Sequence, residues 1–197
     1  MDLSSYLNAS AEALRATTTS LPAATMDAAV SALVTALRSN RAVLVCGNGG
    51  SASDAMHITG ELVGRFLKER KALKAICLSS NPAVLTAWSN DYSYDTVFSR
   101  QVEAYGEAGG VILGLSTSGN SPNVIKAFEL AKTLGMTTIA MTGEGGGKLA
   151  PVTDILLDAP SRSTPIIQQI HICLYHFLCE QVEAQIAAEF GLTPGAY

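Results

Sequence analysis

The first forty residues carry apolar side chains at helical spacing. Leu3, Leu7, Ala11 and Leu14 share one stripe, and after a break at Leu21-Pro22 a second is formed by Met26, Val30, Leu33, Val34 and Leu37. No strand pattern accompanies these two helices, so they are expected to cover a sheet edge or pack against another subunit. From Val43 the pattern changes to short β-rich runs, each followed by a helical period. Strands are predicted at 42–46, 72–78, 110–115, 137–142 and 154–157. Helices are predicted at 53–67, 82–89, 94–105, 122–134 and 164–190, with a short turn near Lys148. Strands that alternate with helices imply an α/β fold, a five-stranded parallel sheet covered on both faces. Residues 1–40 are then a helical segment that packs on the domain and on partner subunits, and 41–197 are the domain.

Composition narrows this picture. At 197 residues, with 48% hydrophobic and 15% charged residues, the chain suits one well-buried domain, with burial extending to subunit interfaces. A net charge of −4 and no basic cluster argue against nucleic acid or an anionic membrane as direct target. The N-terminus, Met1-Asp2-Leu3-Ser4-Ser5-Tyr6, lacks the regions of a signal peptide, and no apolar stretch is long enough to span a bilayer. A cytoplasmic location is expected. Cys46, Cys77, Cys173 and Cys179 show no CxxC spacing and are expected to be reduced core residues rather than disulfides or a zinc cluster.

Two loops carry the candidate chemistry. The first strand breaks into Gly47-Asn48-Gly49-Gly50-Ser51, and the helix-compatible segment beyond it carries His57 and Glu61. Glycines let backbone N–H groups approach an anion, and a helix N-terminus adds partial positive charge. The strand near 110–115 leads into Ser116-Thr117-Ser118-Gly119-Asn120-Ser121-Pro122. Here Pro122 suits a first helical turn with Ser121 as N-cap. One such Ser-rich turn is an ordinary helix cap as readily as a phosphate cradle; two in one chain favour a ligand. Ligands of parallel sheets bind beyond the carboxyl ends of the strands, where both loops fall. The glycine run 143–147 reads as a flexible connection.

His57 and Glu61, four residues apart, project from one helix face. On the last helix Gln168 and His176 are eight apart, about 80° around the axis and roughly 12 Å along it. Facing His57 and Glu61, they offer nitrogen and oxygen ligands to a zinc-like ion, provided it lies midway and both side chains extend. For His57–Glu61 alone, a hydrogen-bonded pair serves equally well. His171, about 140° around from His176, is expected to be a packed or interface histidine.

In these residues the chain resembles the sugar isomerase (SIS) domain proteins, and among them the phosphoheptose isomerases. The resemblance runs through Gly47-Asn48-Gly49-Gly50-Ser51, Asp54-Ala55-Met56-His57 with Glu61-Leu62, Arg65-Phe66, Asn90-Asp91, Ser116–Ser121, and Gln168 with His171 and His176. It implies a SIS fold with two N-terminal helices for oligomerisation, and interconversion of sedoheptulose 7-phosphate with D-glycero-D-manno-heptose 7-phosphate, feeding activated-heptose synthesis for surface glycans. It further implies that Asn48, Gly49, Gly50 and Ser51 line the sugar-phosphate site, that Ser116, Thr117, Ser118 and Ser121 hold the phosphate, and that Asn90 and Asp91 contact the sugar with Arg65 nearby. Glu61 and His176 are the implied acid/base pair. His57, Glu61, Gln168 and His176 are the implied ligands of one Zn2+ per subunit, in a homotetramer with sites at subunit contacts. The family pattern usually places Arg-Ile-Gln-Glu before the first histidine of the last helix; this chain has Ile166-Ile167-Gln168-Gln169, which keeps Gln168 and loses two neighbouring charges.

The residue types suit the chemistry. Moving a carbonyl between C1 and C2 through an enediol needs a base for a carbon-bound proton and a group to exchange protons with the oxygens, tasks for Glu61 and His176. A metal would polarise the carbonyl. Two alternatives share the fold: a non-catalytic SIS protein that binds the bacterial replication initiator, and a phosphosugar-sensing regulator. By resemblance the first lacks the carboxylate and imidazole kept here at Glu61 and His176, and carries an arginine where this chain has Ser118.

Overall fold

The structure, a computed structural model, describes residues 2–190. Two helices, α1 (Leu3–Ser20) and α2 (Ala23–Arg38), lead into β1 (Val43–Gly47), α3 (Gly50–Val63), β2 (Ala75–Cys77) and α4 (Pro82–Asp91). A 3-10 turn at Tyr94–Thr96 precedes α5 (Val97–Tyr105), β3 (Val111–Ser116), α6 (Pro122–Thr133) and β4 (Thr137–Thr142). A second 3-10 turn (Gly147–Val152), β5 (Ile155–Asp158) and α7 (Thr164–Phe190) complete the described chain. The five strands pair in the order β2-β1-β3-β4-β5, all parallel.

Side chains alternate across the sheet with the period of two that a strand imposes. Val43 and Val45 of β1, with Val111, Leu113 and Leu115 of β3, enter a core roofed by α2, α3 and α7. Leu44, Cys46 and Ile112 face the opposite core, built with Val97, Phe98, Val124 and Phe128. Both central strands are buried on both faces, which explains their continuous apolar runs. Gly114 breaks the β3 run because a Cβ there would meet Phe128 at 2.5 Å; its absence lets α6 lie close to the sheet.

Several boundaries differ from the sequence expectation. The helix expected at 53–67 begins at Gly50 and stops at Val63. It stops because Glu183 of α7 accepts backbone hydrogen bonds from Phe66, Leu67 and Lys68, holding 64–70 out of helical conformation. β2 keeps three of its seven expected residues; it is an edge strand, and Leu73 N–H bonds instead to Leu62 O. The 94–105 helix divides at the Tyr94–Thr96 turn, where the Ser93 side chain caps Asp95. Cys46 and Cys179 are buried as expected, but Cys173 is exposed on α7.

The N-terminal helices fare differently. Met26, Val30, Leu33 and Val34 of α2 join the core. On α1, Leu3 and Leu7 remain 72% and 57% exposed, and the buried positions are Ser10 and Thr17, whose hydroxyls bond back to Tyr6 O and Ala13 O. Leu14 packs against the cluster of Ala159, Ile167 and Ile170, so it is the N-terminal end of the α1 stripe that stays uncovered within this chain. No single helix among the described residues is long and apolar enough to cross a membrane.

Candidate active site

The order 2-1-3-4-5 reverses direction between β1 and β3, so a crevice opens beyond their carboxyl ends. Both polar loops lie there. In the first, Gly47 is held from both sides by Ser79, whose hydroxyl donates to Gly47 O at 2.8 Å and accepts from Gly47 N–H at 3.1 Å. Gly49 occupies the N-cap of α3 with φ +57° and no side chain to cap with. The helix thus begins three residues earlier than expected, directly in the loop, and its N-terminal N–H groups face the crevice.

The second loop ends at Ser121, which takes the N-cap position of α6 but makes no side-chain cap. Its hydroxyl instead pairs with Ser116 Oγ at 2.9 Å, and the side-chain acceptor in the first turn is Asn123, whose Oδ1 takes Val124 N–H at 3.0 Å. Ser118 Oγ accepts from Asn120 N–H at 3.2 Å. The glycine run is not the slack connection expected. Gly119, at φ +64°, lies so close to Gly146 that a Cβ would overlap its carbonyl, and Asn120 Oδ1 accepts from Lys148 N–H at 3.1 Å. Residues 143–148 form the outer wall of the serine loop.

An amide pair joins the two loops. Asn48 Nδ2 donates to Asn123 Oδ1 and Asn123 Nδ2 donates to Asn48 Oδ1, each at 2.9 Å. The Tyr94 hydroxyl donates to Asn48 Oδ1 at 2.7 Å. Asn123, Tyr94 and Ser79 were not singled out in the sequence; Asn123 follows the expected cap as an inconspicuous first-turn polar residue. Asn90 and Asp91, on the last turn of α4, are exposed and bond to each other at 2.9 Å.

The titratable cluster lies farther along α3. His57 Nε2 is 3.0 Å from Glu61 Oε1, and the His57 and His176 ring centroids are 5.0 Å apart in an edge-on arrangement. Phe66 covers the other side of His176 with centroids 5.6 Å apart. Donor atoms of His57, Glu61 and His176 all lie within 4.8 Å of one another, and the set suits a divalent ion of borderline softness. Tyr175 completes the fit: its hydroxyl is 3.0 Å from His57 Nδ1 and 3.4 Å from Asp54 Oδ1. With Tyr175 engaging Nδ1, the Nε2 lone pair is the one left for a ligand. Burial raises both the Asp54 carboxyl and the Tyr175 hydroxyl above their ordinary ranges. Arg70 Nη2 donates to Glu61 O at 2.6 Å while the Arg70 guanidinium pairs with buried Glu183 at 3.2 Å, tying the last turn of α3 to α7.

Three of the four expected ligands thus meet. The fourth does not join them within one chain: the Gln168 amide packs over Gly50, where a Cβ would overlap it, and Gly50 is about 10 Å of helical rise from His57. The α3 and α7 helices run side by side, so the eight-residue spacing of Gln168 and His176 separates them instead of converging. Arg65 is exposed and pairs with Glu69 at 3.4 Å. His171 is a packed histidine, fully buried, with Nε2 3.0 Å from Thr142 O.

Residues 5–143 match the SIS domain family. A phosphoheptose isomerase of Crocosphaera subtropica is 57% identical over 150 residues, covering 76% of this chain and 76% of the relative. Among solved structures, phosphoheptose isomerase GmhA of Neisseria gonorrhoeae is similar with a TM-score of 0.86 and 38% identity, covering 92% of this chain and 97% of that one. A phosphoheptose isomerase of Francisella tularensis gives a TM-score of 0.88 at 37% identity, covering 92% and 96%. The parallel sheet, the crevice between β1 and β3 and the carboxylate–imidazole cluster thus belong to a chain of the SIS domain family and, within it, of the phosphoheptose isomerases.

Proposed function

We propose that this chain interconverts D-sedoheptulose 7-phosphate and D-glycero-D-manno-heptose 7-phosphate, supplying heptose for surface glycans. The observation that carries the reading is the cluster of one carboxylate and two imidazoles, Glu61 with His57 and His176, on α3 and α7, with the N-terminus of α3 opening on the glycine loop. The Ser116–Ser121 loop receives the phosphate through Ser116, Thr117, Ser118 and Ser121 at the N-terminus of α6. Asn48, Gly49, Gly50 and Ser51 line the sugar, with Asn90, Asp91, Arg65 and Gln168 around it.

Glu61 takes the carbon-bound proton and returns it to the neighbouring carbon, and His176 exchanges protons with the two sugar oxygens. Phe66 packs against the His176 ring and limits its reorientation, while Arg70 fixes the backbone under Glu61. A Zn2+ ion held by His57, Glu61 and His176 would polarise the substrate carbonyl as a Lewis acid. Because Gln168 stands about two turns away, a four-ligand set would draw it from rearrangement or from a second copy.

The same proposal includes a closed homotetramer in the cytoplasm. Glu61 lies eleven residues beyond Gly50, about 16 Å of helical rise. The unpartnered apolar residues Leu3, Leu7, Met56, Val63, Ile172 and Phe177 support a neighbour that brings a cluster to each cradle. Incubation of purified protein with sedoheptulose 7-phosphate tests the function: formation of the aldose phosphate is expected, and its absence at high enzyme concentration overturns the reading.

A further inference from the structure

The hydrogen bonds around Asn48 fix not only where its amide sits but which way it faces. The backbone N–H of Val124 only donates. It bonds to Ser121 O at 3.1 Å and to Asn123 Oδ1 at 3.0 Å; an NH2 in the latter place would set donor against donor, so the other side of the Asn123 amide is the NH2. Asn123 is 2% exposed and has no water-filled space in which to turn. Its Oδ1 therefore meets Asn48 Nδ2, and its Nδ2 meets Asn48 Oδ1. The Tyr94 hydroxyl adds a second hydrogen to Asn48 Oδ1.

A side-chain amide has two acceptor lone pairs and two N–H donors. On Asn48 both lone pairs are occupied, by Asn123 and by Tyr94, and one N–H is given to Asn123. One N–H remains. We infer that Asn123 and Tyr94 are positioning residues that present Asn48 to the substrate as a single hydrogen-bond donor with no accepting capacity, so that Asn48 selects an oxygen lone pair, on a carbonyl, a hydroxyl or the phosphate, and rejects a donor. The inference rests on the proposed reading that Asn48 faces the sugar phosphate. It also gives the two loops a common element: Asn123 opens α6 beside the serine loop, and Asn48 belongs to the glycine loop, so the substrate's phosphate end and its sugar end are kept in register by one amide pair.

The test is a double-mutant cycle with Asn123→Leu, which removes both amide bonds at similar volume, and Tyr94→Phe, which removes one bond from a half-exposed ring. Each is measured alone and with Asn48→Ala, using sedoheptulose 7-phosphate as substrate and thermal melting to monitor folding. Loss of one neutral hydrogen bond corresponds to about two- to tenfold; kcat/KM should fall by about that factor for Tyr94→Phe and by more for Asn123→Leu. In the Asn48→Ala background neither change should cost anything further, because both act through Asn48. A merely structural role predicts the opposite: equal losses in both backgrounds, tracking the melting temperature. Additive losses, or wild-type kinetics for Tyr94→Phe, overturn the inference while leaving the proposed function standing. Wild-type kinetics for Asn48→Ala remove the reading beneath it as well. Should Asn123→Leu fail to fold, the Tyr94→Phe arm of the cycle decides alone.

Discussion

Glu61 is held at three points that bear on its chemistry: its carboxylate by His57, its carbonyl by Arg70, and its helix turn by the Arg70–Glu183 pair. A proton transferred to or from carbon demands such a fixed base, because a misplaced carboxylate loses more rate than it gains in freedom. Glu61→Gln keeps the shape and removes the base; turnover should fall at least about a hundredfold, and His176→Gln should do likewise. Steady-state rates within a few fold of wild type for either variant would remove that residue from the acid/base pair. His171 makes a different prediction. Its Nε2 must carry the hydrogen given to Thr142 O, and its Nδ1 is buried without a partner, so a second proton would have no acceptor. Burial accordingly lowers its pKa from 6.5 to about 4. The unfolded chain then binds more protons than the folded one between those values. The His171 contribution is complete above about pH 6.5 and lost as pH falls toward 4, about 3 kcal/mol in all. Urea unfolding of wild type and His171→Leu across that range should show curves that converge toward low pH; parallel curves exclude this account.

At the scale of elements, local pattern identified what local chemistry determines. The strand–loop–helix units around Gly47 and Ser116 were legible because apolar runs, glycines and a proline at helix start act over a few residues. The end of α3 was not, because it is set by Glu183, more than a hundred residues away. Nor was the wall that 143–148 builds around the serine loop, since a glycine run has the same appearance whether slack or packed. The serine loop itself carries a kinetic prediction. Ser116 and Ser121 share one hydrogen bond, leaving hydroxyl capacity for the phosphate. That binding is common to ground and transition states, so Ser116→Ala with Ser121→Ala should raise KM more than it lowers kcat. An unchanged KM for the phosphorylated sugar removes the loop from the site. Between elements, His57 on α3 and His176 on α7 predict that chelated protein rebinds zinc and that His57→Ala does so much more weakly. Elemental analysis of the two after dialysis distinguishes them, equal zinc content being the contrary result.

For the whole molecule, a five-stranded parallel sheet followed from the alternation of strands and helices, whereas its strand order and the distribution of the site did not. Periodicity said that α1 had an apolar stripe; it did not say that Leu3 and Leu7 would stay exposed while α2 filled the core. Spacing said that Gln168 and His176 share a helix; it did not say that α3 runs beside that helix and keeps Gln168 over Gly50. Both facts support the proposal that other copies of the chain complete its apolar faces and its site. Replacing Leu3 and Leu7 together with Asp puts two charges on the exposed stripe without touching the core. The fold, judged by melting temperature of the dilute protein, should change little. The assembly should dissociate toward smaller species by light scattering, and isomerase activity should fall in proportion, recovering when protein concentration is raised. A dilute monomer that retains full activity would place the complete site in one chain, and the separation of the cradle from Glu61 along α3 would then have to close by movement within the subunit.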